Sequence, residues 1–201
     1  CGGRAASAVG DDKIAMFETK KIAAEIARAF IAAHHSRLPH VQRGPWKLAF
    51  GAYENDTLVA AALWHNCSAR GLPQNWIELR RMAISSDAPR NTASQMLSAM
   101  RTYIRRQHGY DTVLVSYQDV AVHHGTIYRA SGWTPVAISR PRYRDRTPLR
   151  TGTARKYRSD ANGAAPAASA KIRWQIGCGR QRFEGLTLEQ IEQAKLLKPT
   201  K

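Results

Sequence analysis

The sequence predicts an α/β domain built on one mixed β-sheet with a βαβ crossover, followed by a basic C-terminal extension. Three observations lead there. Segments with strand and helix periodicity succeed one another along the chain. Thr112–Tyr117 (TVLVSY) is continuously apolar apart from its ends, as in the buried middle of a sheet. After Ser139 the chain changes character and arginines crowd together. With 201 residues, 43% of them hydrophobic, there is material for a single core and one irregular extension.

Taken in order, residues 1–12 are small and polar and read as a flexible lead-in. A folded unit is expected over 13–176, with a basic, low-complexity insertion at 140–170 and a tail over 177–201. From Thr19 onward Ile22, Ile26, Ala29, Phe30 and Ala33 form one apolar helical face, fading near His34-His35-Ser36. Trp46, Leu48, Phe50 and Ala52 alternate as a half-buried strand, and Thr57–Trp64 returns as its hairpin partner after Glu54-Asn55-Asp56. Trp76–Ile84 is the next strand. Pro89 suits the start of a helix whose stripe is Met96, Leu97, Met100, Tyr103 and Ile104, closing at His108-Gly109. The strand at Thr112–Tyr117, a helical turn at Gly125–Ala130 and a strand at Trp133–Ser139 complete a βαβ order after the N-terminal helix. A last strand is expected at Lys171–Ile176, and a short helix capped near Thr187.

The charge balance points to a partner. There are 31 Lys+Arg against 15 Asp+Glu, a formal net charge of +16, whose self-repulsion a polyanion relieves. Cys1, Cys67 and Cys178 form no C-x-x-C pair, so neither a zinc ribbon nor a disulfide framework is expected, and a reducing cytoplasm fits. No apolar run of about 18 residues spans a membrane, and the N-terminus lacks a signal peptide's charged-then-apolar order. A chain opening at Cys1 without Met suggests trimming or a fragment.

Four segments carry candidate chemistry. At Ala83–Gln95 a strand runs through a turn into a helix, whose first unpaired N–H groups favour phosphate; an ordinary capped helix is the alternative. In Ser116–Trp133, Asp119 lies just past the end of the buried strand, where open α/β sheets place ligand contacts. Tyr128 follows on a short helix: its phenol either protonates a departing thiolate or packs in the core. Trp133 reads as a turn anchor. The paired histidines His34-His35 and His123-His124 are surface residues in the simpler reading; one from each pair with Asp119 would give a two-histidine, one-carboxylate site suited to iron. Finally Arg140, Arg142, Arg144, Arg146, Arg150, Arg155, Lys156 and Arg158 face one acid, Asp145, among Tyr143 and Tyr157. That stretch cannot neutralise itself and suits nucleic-acid phosphates, with tyrosines to stack on bases.

Arg90–Gln95 together with Tyr128-Arg129-Ala130-Ser131-Gly132-Trp133 resemble the GNAT acyltransferase superfamily. Its R-x-x-G-x-G/A loop holds the CoA pyrophosphate, and its Y-x-x-x-G-F/W helix supplies a catalytic tyrosine. The loop here lacks the glycines. A narrower likeness covers about residues 26–139. The upstream AFIAAHHS, the strand ending Leu79-Arg80-Arg81 (L-x-R), Asp87–Ser94 (D-x-P-[KR]-N-x-x-S), Ser116–Asp119 (S-[YF]-x-D) and Gly125–Trp133 (G-T-I-Y-x-A-x-x-W) are similar to the Mom family of phage DNA-modification proteins.

The resemblance implies a GNAT-like catalytic domain with a splayed βαβ core, converting adenine in phage DNA to an N6-carbamoylmethyl form that evades host restriction. It implies Asp119, Tyr128, His35, His34 and Ser116 as catalytic candidates. Ile84, Arg90, Asn91, Thr92, Ala93 and Ser94 would hold acetyl-CoA or a related acyl-CoA. Iron would draw on His34, His35, Asp119 and His124. Where the family has a His-Tyr pair after the first helix, this chain has His34-His35-Ser36. The implied partners are double-stranded DNA and a small-molecule donor, in the cytoplasm of an infected bacterium. Asp119 would hold or deprotonate the flipped adenine's amine and Tyr128 would act as acid. Two rivals share the scaffold: an ordinary N-acetyltransferase acting on a small amine or a protein, and a DNA-binding protein without catalysis.

Overall fold

The structure, a computed structural model, describes residues 17–35, 41, 44–67, 69, 71–141 and 169–198. Seven strands form one sheet in the order β1-β2-β3-β4-β5-β7-β6. In chain order the elements are β1 (Phe17–Lys21), α1 (Ala24–His34), β2 (Leu48–Glu54), β3 (Thr57–Asn66), β4 (Ile77–Ile84), α2 (Thr92–His108) and β5 (Val113–Asp119). Then follow α3 (Thr126–Ala130), β6 (Thr134–Ser139), β7 (Lys171–Gly177) and α4 (Leu188–Ala194). All neighbours pair antiparallel except β4 and β5, the parallel pair that α2 connects.

The mixed sheet and crossover expected from the sequence are present. One strand was not foreseen. Phe17–Lys21 pairs with β2 from Phe17↔Glu54 to Lys21↔Phe50, where the sequence reading began a helix at Thr19. The helix starts only at Ala24. FETKK carries little strand signal of its own, so it is the open edge of β2 that recruits it.

Each helix side of the sheet has its own core. Ala27 and Ile31 of α1 press on Ala49, Ala61, Leu63 and Ala83, small side chains that let the helix approach closely. On the opposite face Met96, Leu97, Met100 and Ile104 of α2 are fully buried against Phe50, Trp64, Leu114, Ile172 and Trp174. The predicted stripe of α2 is therefore its buried face, with Tyr103 half-buried against Phe50 at 5.2 Å between ring centroids. The β2–β3 hairpin closes through Asn55 and Asp56 at φ 46° and 65°, the two left-handed residues of a tight two-residue turn. Past β7, the helix expected near Thr187 is α4. Its capping box is complete: Thr187 Oγ1 accepts from Gln190 N, and Gln190 Oε1 accepts from Thr187 N. Ile191 and Ala194 seat it on the core.

Candidate active site

β4 and β5 stay together only from Ile77↔Leu114 to Leu79↔Ser116. Beyond Ser116, β5 keeps to β7 as far as Asp119↔Lys171, while β4 stays with β3 to Ile84. A bulge helps them part. Leu63 pairs with Arg81 but Trp64 with Leu79, so Arg80 is the extra residue and β4 turns away there. The result is a gap in the middle of the sheet, open at its C-terminal end.

Ser116 and Tyr128 meet on the α2 face of that gap, hydroxyl to hydroxyl at 2.8 Å. Burial pushes the Tyr128 phenol up from its usual value, with the Ser116 bond pulling the other way, so it stays a proton donor near neutrality. Its ring stacks on Trp174 at 5.2 Å and meets Trp133 edge-on at 5.6 Å. The core-packing reading of Tyr128 holds, and its phenol sits beside Ser116 where the strands separate. Trp133, expected to anchor a turn, follows the turn after α3 with its N–H bonded to the Tyr128 carbonyl and its ring buried in the core.

One amide ties this wall to the loop after β5. Gln118 accepts from Trp174 Nε1 at 2.8 Å and donates to the carbonyl of His123 at 2.5 Å. Gly125, at φ 72°, begins α3 directly against it. A Cβ on Gly125 would lie 2.5 Å from Trp174 and 2.6 Å from Gln118 Oε1, so only glycine fits. Asp119 is held at the strand end, where Oδ1 accepts from Ala121 N and from Ser169 Oγ.

The α1 face brings in a second group. His35 caps α1, its N–H bonded to the Ile31 carbonyl. Burial, then the positive charge of Arg81 and the nearby His123, hold its imidazole down at about 4, so it is neutral at physiological pH. Arg81 shares its face with Leu63 and Ala83, beneath α1. His34 behaves differently: it is exposed and stacks on Phe30 at 4.3 Å. Of the adjacent pair, His35 belongs to the gap. His124 is also exposed, and only its carbonyl is engaged, by Arg129. Among the described residues no three His, Cys, Asp or Glu side chains converge, so His34, His35, His124 and Asp119 do not form the expected iron site. The reason is geometric: His34 and His124 turn to the surface while Asp119 is engaged by Ala121 and Ser169.

At the start of α2, Asn91 adopts φ 66°, a left-handed conformation that asparagine tolerates. Thr92 Oγ1 donates to the Pro89 carbonyl and Ser94 Oγ to that of Asn91, so both hydroxyls are engaged by the loop's own backbone. Thr92 and Ala93 are buried, Arg90 is exposed, and Ile84 ends β4 just before the loop. Of the basic stretch, Arg140 is exposed just beyond β6; Arg142, Arg144, Arg146, Arg150, Arg155, Lys156 and Arg158 lie outside the described residues.

Arg81, Gln118 and Trp174 were not among the residues the sequence singled out for chemistry, although Arg81 is the last residue of L-x-R; His123 was, as a member of the His123-His124 pair. Nothing in the sequence pairs Gln118 with Trp174, 56 positions away.

A seven-stranded mixed sheet splayed at its parallel pair, with a helix start and a tyrosine helix flanking the gap, defines a GNAT-fold transferase. Solved structures agree. A probable acetyltransferase from Staphylococcus epidermidis superposes with TM-score 0.54 at 11% identity, covering 81% of this chain and 99% of its own. A Bacillus subtilis acetyltransferase in complex with CoA gives 0.52 at 11%, covering 81% and 98%. A Salmonella typhimurium putative acetyltransferase with its cofactor acetyl-CoA gives 0.53 at 10%, covering 82% and 95%. No curated protein matches the chain. Residues 16–190 match the Mom protein family, and the chain belongs to that family, known for carbamoylmethylating adenine in phage DNA. No helix among the described residues is long and apolar enough to cross a membrane.

Proposed function

We propose that this chain converts adenine in double-stranded phage DNA to N6-carbamoylmethyladenine, in the gap between β4 and β5, within an infected bacterial cytoplasm. The observation that carries the reading is the Ser116–Tyr128 hydroxyl pair at the point of splay in a chain of this family. The amine of adenine is a weak nucleophile, since its lone pair is delocalised, and it is paired inside the duplex. The base must therefore be flipped out and its N6 relieved of a proton.

Asp119 takes that role at the end of β5, with His35, Arg81 and His123 shaping the α1 side of the pocket. Neutral His35 can accept a hydrogen bond from the base or its sugar without repelling Arg81. Tyr128, kept protonated by burial, passes its proton to the departing group, and Ser116 holds the phenol in place.

The start of α2 suits an acyl-CoA pyrophosphate: early helix N–H groups, left-handed Asn91, Thr92 and Ser94 hydroxyls bonded back onto the loop backbone, and exposed Arg90. Bound there, such a donor would supply a thioester carbonyl with a thiolate leaving group, the chemistry of acyl transfer. The N6–methylene bond and the amide nitrogen of a carbamoylmethyl product need a co-substrate that brings an activated methylene carbon and an amide. The basic residues of 140–158 would neutralise DNA phosphates.

Plasmid recovered from bacteria expressing the protein should resist restriction enzymes that contact adenine. Asp119→Ala should abolish that resistance while DNA binding persists; normal protection by this variant overturns the role of Asp119. The CoA-bound fold neighbours favour one other reading, acetyl transfer to a small amine or a protein. Acetyl-CoA turnover on amines in the absence of DNA would select it.

A further inference from the structure

The end of the sheet remote from the β4–β5 gap carries a second basic surface. α2 begins at the gap, and its 17 residues bring its last turns about 25 Å away. The last turn holds Arg105 and Arg106, Arg101 stands one turn earlier, and the segment after β7 adds Arg180 and Arg182.

The two pieces are fastened together. Arg101 donates from Nε to the Gly177 carbonyl at 2.8 Å and from Nη2 to that of Gly179 at 3.4 Å. Cys178 N donates to the Thr112 carbonyl, and Gln181 Nε2 to that of Tyr110 at 2.6 Å. Arg180 and Arg182 flank Gln181, so they are held beside the helix end. Arg105 lies 5.6 Å from the ring of Tyr110, which is 66% exposed. A cleft of about 310 Å³ is lined by Arg101, Gln181, Arg182, Thr134 and Phe183, among others.

Cations at a helix C-terminus complement its dipole, which accounts for Arg105 and Arg106. It does not account for Arg180 and Arg182, which belong to a different segment. The acids in these two stretches are Asp111 and Glu184, and none of the five arginines pairs with a carboxylate among the described residues. Five unpaired guanidinium groups repel one another, and a bound polyanion relieves that repulsion. Guanidinium forks match phosphate oxygens, while an exposed tyrosine offers an apolar face to deoxyribose.

We propose that this surface binds the sugar–phosphate backbone of DNA at a place separate from the β4–β5 gap, with Arg106, Arg180 and Arg182 taking its phosphates. The inference rests on the DNA reading above but not on the site in the gap or on the stretch 140–158. It provides a second hold on DNA, one that raises affinity without touching the reacting base.

The test uses the full chain and a fluorescein-labelled duplex, read by anisotropy over a series of salt concentrations. R106E/R180E/R182E is compared with K20E/K21E/K198E, which changes net charge equally on exposed lysines elsewhere. The arginine variant is expected to lose at least about tenfold more affinity than the lysine variant, with a salt slope lower by roughly two to three. Equal losses in the two variants overturn the proposal, because net charge alone then explains them. A wild-type protein with no affinity for DNA overturns the DNA reading itself. Should the triple reversal fail to fold, the milder R180Q/R182Q is judged on the same comparison against K20Q/K21Q.

Discussion

Tyr128 is a buried phenol bonded to Ser116 at the one place where the sheet comes apart. Removing only its hydroxyl separates chemistry from packing. Tyr128→Phe keeps the ring on Trp174 and should cost about 1 kcal/mol of stability for the lost hydrogen bond. Loss of the acid should slow modification by about 10²–10⁴-fold. A melting curve and an initial-rate assay on the same preparation check both. His35 gives a second prediction. Its folded value of about 4 lies below the ordinary 6.5, so the unfolded chain takes up the proton first as pH falls. The stability it contributes is complete above 6.5, declines between 6.5 and 4, and is lost below. Its NMR titration should be centred near 4 and move upward in Arg81→Gln, since Arg81 contributes to the depression. At this scale the motif residues Ser116, Asp119 and Tyr128 were legible because they cluster within thirteen positions. Gln118 and Trp174 were not, because a contact between two strands that meet only in the folded sheet leaves no local pattern.

α3 is five residues long and owes its position to what surrounds it. Gly125 and Gly132, on either side of it, both have positive φ, yet their surroundings differ. A Cβ on Gly132 would meet only Ile176, at an ordinary contact distance of 3.9 Å, so Gly132→Ala should cost only the backbone penalty, about 1 kcal/mol. Gly125→Ala adds a collision with Trp174 and Gln118 and should cost more than about 2 kcal/mol. It should also displace Tyr128 and lower the modification rate. Comparable melting temperatures for the two variants would contradict that account. Elements with a strong period of their own, α2 above all, were readable from the chain. β1 was not, because its strand conformation comes from the edge of β2 rather than from FETKK, and the bulge at Arg80 that opens the gap has no signal in a run of strand-forming residues.

At the scale of the molecule, a GNAT sheet carries a net charge of +16, and the family match over residues 16–190 says which reaction the scaffold serves. If the partner is DNA, affinity should fall steeply as salt rises, because each neutralised phosphate releases counterions. Binding unchanged between low and high salt would contradict a phosphate-gripping surface. The sheet and its crossover were legible because hydrophobic period reports burial directly. The separation between a gap for chemistry and a distant arginine surface was not, since it arises from α2 carrying one end of a helix away from the other. The most direct test of the central claim is mass spectrometry of nucleosides from plasmid DNA after expressing the protein in a bacterium. A deoxyadenosine heavier by a carbamoylmethyl group is expected, and far less of it with Tyr128→Phe. Unmodified adenine in the presence of abundant folded protein would contradict it.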